Sequence, residues 1–411
     1  MINKQLHFFL VDDDPSILEI ETILLESEGY RVSSTSSSVE ALGKILSAKP
    51  DCVILDLMMP GVDGFEVCQQ LRKSSGMQDV KIVFVSSKAF EHDRKRAIEV
   101  GGDGFILKPI DHETFVEKII KIIQDRMELT YWGVRGTLPM SGEETLKYGG
   151  HTSCVTIEFQ KGDFFIFDAG SGIKSLSNHL LSQKKARIDT KIFISHPHWD
   201  HINALPFFVP LYVPGHEIEI LGASHGELKM RQLISSQMEG VYFPIQIKEF
   251  AARVFFRDLN EESFEINGIK IQTLLLNHPG NCLGYRVEHQ GKSICYVTDN
   301  ELPLETSQYF NQQNLDRLIK FIHGTDILIT DTTYTNEEYQ KGKELWGHSS
   351  VEQVAKLAHQ AEVKALHLFH HDPDQTDLDI DAKHEIAESV LKMLDSPVQC
   401  VAPKERQSFE V

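Results

Sequence analysis

Residues 195–201 read SHPHWDH, placing three imidazoles and a carboxylate within seven positions. The run follows KIFI, a β-branched and aromatic stretch that predicts a buried strand. His196 and His198, two apart in extended chain, project to the same side, while Asp200 and His201 arrive as the chain turns into INALPFF and face a neighbouring point. One segment thus supplies ligands to two adjacent cations. Further donors must come from other strand ends. LLLNHPGNCLGYR offers His278, SICYVTDNE offers Asp299, and KALHLFHHDPD offers His370 or His371. In strand alternation His367 and His371 share one side and His370 takes the other, so spacing alone leaves His370 and His371 open. Histidine and carboxylate donors without cysteine suit zinc, manganese or iron. Two such ions, roughly 3.5–4 Å apart, lower the pKa of a shared water and clamp the oxygens of a displacement, so hydrolysis is the expected output.

A second polar set lies in the first 125 residues, where strand-like runs alternate with helical ones. Asp14 is placed to cap a helix that has Pro15 in its first turn. The rhythm predicts a parallel sheet with helices on both faces, and in such sheets ligands bind beyond the carboxyl ends of the strands. Asp12 and Asp13 close the first strand, Asp56 the third, Ser86 the fourth and Lys108 the fifth. Acids gathered beside one lysine suit a hard cation such as Mg²⁺ and a phosphate.

FLVDDDPS, VILDLMMPGVDGFEV, FVSS and GFILKP resemble a response-regulator receiver domain over residues 5–124. The resemblance implies a (βα)5 doubly wound domain in residues 1–126. In it Asp56 would be the phosphoacceptor, Asp12, Asp13 and Asp56 the Mg²⁺ ligands, and Lys108 the partner of the phosphoryl group. Ser86 would sense the phosphate and Phe105 would be the aromatic switch, with Ser87 where alanine is commoner. It also implies a sensor histidine kinase as partner and a homodimer through GGDGFILKPIDHETFVEKII. An aspartyl phosphate adds charge and acceptor oxygens that reorder a hydroxyl-bearing loop.

VEKIIKIIQDRMEL reads as a helix leading into TYWGVRGTLP with no Gly/Ser/Pro linker, a short stiff junction that favours coupling between the halves. In the second half, residues 127–411, the set His196, His198, Asp200, His201, His278, Asp299 and His370 resembles the metallo-β-lactamase fold, an αββα sandwich, over about residues 128–402. The resemblance implies one metal on His196, His198 and His278 and another on Asp200, His201 and His370, with Asp299 bridging. It favours His370, which ends an LxLxH-like run, and leaves His371 behind the ligands.

Asp200 followed by His201 departs from the hydrolases of β-lactams and from the flavodiiron pattern. ELWGHSSVEQVAKLA resembles the His-Ser-Thr element of the phosphodiesterase branch, which includes ribonuclease Z and cyclic-nucleotide phosphodiesterases. There His348, catalytic alongside Asp200, would stabilise the phosphorane and protonate the leaving oxygen, a task suited to a pKa near neutrality. Asp331, in DILITDTTYTNEEY, would orient His348 or a liganding histidine. GVRGTLPMSGEETLKYGGHTSC resembles a cleft-lining loop in which His151 stands where asparagine is commoner.

The formal charge is −19, of which residues 1–125 carry −7 and the remainder −12. Both halves are acidic, and no Gly/Pro-rich basic arm lies between His201 and His278, which disfavours tRNA processing and broad nucleic-acid binding. A small phosphodiester, such as a cyclic nucleotide or a short oligonucleotide, is the expected substrate. The alternatives are a lactone or thioester hydrolase, which would leave His348 without a task, and a non-catalytic signalling adaptor with a structural metal. The 411 residues, 41% apolar, predict two or three units. Six scattered cysteines without CxxC pairs, no long apolar run and no signal-peptide pattern predict a cytoplasmic protein without a membrane segment.

Overall fold

The computed structural model describes residues 6–78, 80–87, 91–124, 127–160, 162–183 and 187–411. The chain divides into two compact units, Met1–Arg126 and Met127–Val411.

The first unit has five strands, β1 (His7–Val11), β2 (Arg31–Thr35), β3 (Cys52–Asp56), β4 (Lys81–Ser86) and β5 (Gly104–Leu107). They alternate with helices α1 (Pro15–Ser27), α2 (Ser38–Ala48), α3 (Gly64–Lys73), α4 (Glu91–Glu99) and α5 (Phe115–Gln124). All strand pairs are parallel, in the order β2-β1-β3-β4-β5. Alternation along β1 explains the two-faced burial. Phe8 and Leu10 enter the core shared with α1 and α5, and Phe9 and Val11 enter the one shared with α2 and α3. Asp14 caps α1 by accepting from the Ser16 N–H at 2.9 Å, with Pro15 at the first helical position.

Helix α1 also buries Glu21, whose Oε1 has no hydrogen-bond partner among the described residues. Burial, reinforced by the Asp12 charge, pushes this carboxyl up to about 8. A raised carboxyl contributes stability that is complete below its unfolded pKa and is lost as pH rises through the folded one. The unit is therefore expected to lose about 4 kcal/mol between pH 4.5 and pH 8 relative to Glu21→Gln. Urea unfolding of both proteins at the two pH values measures this. Parallel pH profiles would show that Glu21 ionises freely in the folded state.

The expected helix through MEL stops earlier. Met127 already opens β6 (Met127–Gly133), in which Met127, Leu129 and Tyr131 point alternately into the core of the second unit. Pairing with neighbouring strands overrides the helical pattern there, and junction residues 125–126 lie outside the described residues.

The second unit stacks two seven-stranded sheets. The first holds β6, β7 (Cys154–Phe159), β8 (Phe164–Phe167), β9 (Asp189–Ile194), β10 (Glu217–Ala223), β11 (Arg253–Leu259) and the last strand β19 (Ser408–Glu410). Its order is β11-β10-β9-β8-β7-β6-β19, parallel from β11 to β8 and antiparallel beyond. The second sheet holds β12 (Ser263–Ile266), β13 (Ile269–Leu275), β14 (Leu283–His289), β15 (Lys292–Val297), β16 (Ile327–Asp331), β17 (Ala365–Phe369) and β18 (Gln399–Val401) in that order. It is antiparallel up to β15 and parallel after it.

Phe167, Phe193, Tyr285, Tyr296 and Phe369 fill the space between the sheets. The outer face of the first sheet packs on α6 (Gly172–Ser182), the short α7 (Trp199–Ile202) and α8 (Met230–Gln237). The outer face of the second packs on α9 (Gln312–Ile322), α11 (Val351–Gln360) and α12 (Asp377–Met393), with the short α10 (Asn336–Gln340) before α11. The layers are thus αββα, and every parallel strand delivers its carboxyl end to the same rim. The six cysteines are free thiols, all buried except the half-buried Cys400. Among the described residues no helix is long and apolar enough to cross a membrane.

Candidate metal centre

The rim gathers the strand ends. His196, His198, Asp200 and His201 follow β9, His278 follows β13, Asp299 follows β15, and His370 directly follows β17. Two groups with ligand atoms within 4.8 Å of one another result: His196, His198, His278 and Asp299, and Asp200, His201, Asp299 and His370. Asp299 belongs to both, one oxygen to each. Its Oδ2 lies 3.6 Å from His196 Nε2 and 3.7 Å from His278 Nε2, and its Oδ1 lies 3.2 Å from His201 Nε2 and 3.1 Å from His370 Nε2. Asp200 Oδ2 is 3.1 Å from the Nε2 atoms of both His201 and His370.

The outward nitrogens fix the tautomers. His201 Nδ1 donates to Asp168 Oδ2 at 2.7 Å and His278 Nδ1 to the Gly347 carbonyl at 2.8 Å. The Ser195 hydroxyl donates to Asp168 Oδ2, so its oxygen accepts from His196 Nδ1 at 3.0 Å. The Thr333 hydroxyl donates to Asp331 Oδ1 and accepts from His370 Nδ1 at 3.2 Å. In its neutral form each ring turns an Nε2 lone pair inward. His198 Nδ1 sits 2.8 Å from His196 Nε2 and 3.1 Å from His278 Nε2, and its single proton can serve only one of them. His201 Nε2 is buried with no hydrogen bond among the described residues. Converging lone pairs and an orphaned buried nitrogen fit a cation in each group.

Charge agrees with this. Burial alone would raise the Asp200 and Asp299 carboxyls, but the facing imidazoles of His201 and His370 outweigh it and hold both well below the carboxylate range. Burial would likewise lower His201, yet Asp200, Asp299 and Asp168 raise it well above the usual histidine value. The ring is pressed to carry a positive charge that a metal ion would supply instead.

His348 stands beside the second group. Its Nδ1 donates to Asp331 Oδ2 at 2.9 Å, and its ring stacks on His370 with centroids 5.0 Å apart and 5.3 Å from His278. Burial opposes its charge, but Asp331 outweighs burial and raises it to about 9. Asp331, His348 and His370 form a third close group, although two Thr333 donors and the His348 ion pair already satisfy Asp331 without a metal. Ser350 occupies the cap position of α11, but its hydroxyl goes to Asn336, and Ser349 bonds the Asn300 carbonyl.

His371 turns away from the ligands, its Nδ1 accepting from the buried Lys383 Nζ at 3.0 Å. His367 Nδ1 meets the Tyr131 hydroxyl at 2.7 Å. His151 meets Ser171 at 3.2 Å and is half-buried. The 134–151 loop does approach the cluster, since the Thr137 N–H donates to Asp200 Oδ2 at 2.7 Å and a Cβ on Gly136 would lie 2.1 Å from the His370 ring.

Sequence reasoning missed Asp168, which directly follows β8. Fully buried and in the left-handed region at φ 58°, it accepts from the Ser195 N–H and hydroxyl, Tyr296 hydroxyl and His201 Nδ1 at 2.7–2.8 Å. A carboxylate closing the apolar run FFIFDAG was the available signal. Asp168→Asn is expected to weaken metal binding about 10–100-fold, as loss of a carboxylate behind a liganding histidine does. Competition against a chromophoric chelator measures it, and unchanged affinity would show that Asp168 serves folding alone.

In the first unit, Lys108 Nζ lies 2.6 Å from Asp12 Oδ2 and 2.7 Å from Asp56 Oδ1. Burial would lower the Lys108 pKa, but the two carboxylates outweigh it. Asp13, next to Asp12 in the chain, is exposed, Ser86 is fully buried at the end of β4, and Phe105 is half-buried on β5.

The sequence matches the response regulator receiver domain family over residues 8–120 and the beta-lactamase superfamily domain over residues 164–371, the latter just over half of the chain. The DNA-binding response regulator MtrA of Mycolicibacterium smegmatis is 37% identical over 110 residues, 27% of this chain and 47% of that protein. The transcriptional regulatory protein ResD of Bacillus subtilis is 32% identical over 123 residues, 30% of this chain and 50% of that protein. The chain spans about half the length of the curated relatives it matches. Among solved structures, the metallo-beta-lactamase fold protein YhfI from Bacillus subtilis is similar with a TM-score of 0.49 and 17% identity, covering 70% of this chain and 100% of that one. The chain belongs to the beta-lactamase superfamily, and a response regulator receiver domain precedes its two-sheet unit.

Proposed function

We propose that the chain is a two-component response regulator whose output is a dinuclear-metal phosphodiesterase acting on a small phosphodiester such as a cyclic nucleotide or short oligonucleotide. The observation that carries this reading is the His348–Asp331 pair stacked on His370 beside the two ligand groups. Lactone or thioester hydrolysis gives an imidazole in that position no evident task.

His196, His198, His278 and Asp299 would hold one divalent ion, and Asp200, His201, His370 and Asp299 would hold the other, zinc, manganese and iron all suiting these donors. When bound, the ions supply Lewis-acid polarisation of the phosphoryl oxygens and activation of water. Asp299 keeps the two groups in register, and Asp168, Gly347, Ser195 and Thr333 keep the rings turned inward. As a water oxygen bonds to phosphorus and its proton passes to solvent, the ester P–O bond breaks, and its electron pair stays on the leaving oxygen, which takes the His348 Nε2 proton. Asp331 holds the ring through Nδ1 and stabilises its charge.

In the receiver, Asp56 accepts the phosphoryl group from a histidine kinase, Asp12, Asp13 and Asp56 would hold Mg²⁺, and Lys108 pairs with the phosphoryl oxygens. Ser86 and Phe105 respond to it.

The test is hydrolysis of cyclic mono- and dinucleotides by Mn²⁺- or Zn²⁺-loaded protein, with and without acetyl phosphate, beside Asp56→Asn. The expected result is turnover of one nucleotide that shifts with acetyl phosphate only when Asp56 is present. Turnover indifferent to acetyl phosphate would remove the regulatory half of the reading, and no cleavage of any phosphodiester would remove the catalytic half.

A further inference from the structure

The chain has three tryptophans; Trp132 is buried, whereas Trp199 is 82% and Trp346 55% exposed. Leaving an indole in water forgoes a large burial gain, and both exposed indoles belong to segments that supply the rim. Trp199 separates His198 from Asp200, and Trp346 precedes Gly347, the carbonyl partner of His278.

Both indoles sit on anchored chain. Trp199 opens α7 between two residues of the ligand groups. The Trp346 segment is fastened by buried Glu301, which accepts from the Leu345 and Gly347 N–H groups at 2.8 Å each and from the Tyr339 hydroxyl at 2.5 Å. Gly347 has φ 85°, and a Cβ there would lie 2.3 Å from His278 Nδ1, so the segment approaches the cluster as closely as backbone can.

Lys343 Nζ lies 3.9 Å from the Trp346 ring centroid and 5.3 Å from that of Tyr334, whose ring is 6.1 Å from His348. An ammonium, an indole and the imidazole of His348 therefore line one stretch of the rim.

We propose that Trp199 and Trp346 are a stacking site for a nucleobase of the substrate, with Lys343 drawing its anionic backbone; this rests on the phosphodiesterase reading. Flat bases gain from indole faces whatever their hydrogen-bonding pattern. An aliphatic ester gains little there, and a cationic headgroup, otherwise attracted to an indole, is repelled by Lys343.

Thymidine 5′-(p-nitrophenyl) phosphate and methyl p-nitrophenyl phosphate share a leaving group and differ in the nucleoside. Metal-loaded full-length protein is expected to prefer the nucleoside ester. Trp346→Ala and Trp199→Ala should each cut the ratio of the two kcat/KM values about tenfold, mainly through KM, and the Phe replacements should restore most of it. An unchanged ratio in both Ala variants overturns the proposal. Quenching of tryptophan fluorescence by 5′-AMP separates this inference from the reading beneath it. If neither ester is cleaved, the phosphodiesterase reading fails. Saturable quenching, lost in the Trp199→Phe/Trp346→Phe double variant, would then still support the stacking site, and its absence in the unaltered protein would overturn it.

Discussion

Asp299→Asn is expected to lower bound metal from two ions per chain to one or fewer and to slow hydrolysis about 10³-fold, since the ions together stabilise the transition state by several kcal/mol. The carboxylate gives one oxygen to each ligand group, at 3.6 and 3.7 Å from His196 and His278 and at 3.2 and 3.1 Å from His201 and His370. An amide keeps one good oxygen donor and turns an N–H₂ toward the other group. It also removes a negative charge from a buried cluster of imidazoles, where each added cation needs one. Metal analysis of dialysed protein and kcat on bis(p-nitrophenyl) phosphate measure the two effects. Two retained ions and a nearly unchanged kcat would mean that Asp299 does not bridge.

His348→Ala should leave the metal count at two and lower kcat on an alkyl phosphodiester by about 10²–10⁴, the range for loss of a general acid. The same change should cost much less on a p-nitrophenyl ester, whose leaving oxygen departs without a proton. Equal losses on both substrates would indicate that His348 positions the substrate instead. The pH dependence carries a sign as well. Asp331 raises His348 against burial to about 9, so the acid form prevails at neutral pH and activity should fall as pH rises through the alkaline limb. Cations bound in the two ligand groups would pull that limb below this value. Asp331→Asn removes the charge that raises the pKa and should move the limb to lower pH.

The architecture was legible where a pattern is local. SHPHWDH concentrates four potential ligands in seven residues, and the strand ends at Asp12, Asp56, Ser86 and Lys108 repeat one rule of parallel sheets. Spacing alone does not choose between His370 and His371, because alternation stops being a guide where β17 ends, and it is the family resemblance that favours His370. His370 leaves the strand at φ 60°, in the left-handed region, and His371 then turns toward Lys383.

Asp168 escaped notice for a different reason. Its donors come from the rim segment after β9 and from Tyr296 on β15, and nothing near FDAG in sequence announces them. Glu301 likewise acts on residues 44 and 46 positions away. The end of α5 is not legible in sequence because MEL satisfies a helical pattern as well as an alternating one, and the β6 ladder with β7 and β19 decides between them.

The most direct test sets bis(p-nitrophenyl) phosphate, a lactone and a thioester before the same metal-loaded protein, with Asp299→Asn as the control for adventitious hydrolysis. A dinuclear phosphodiesterase is expected to cleave the phosphodiester, to lose that cleavage in Asp299→Asn and to turn over little of the other two. Brisk Asp299-dependent turnover of the lactone or the thioester, with the phosphodiester intact, would contradict it.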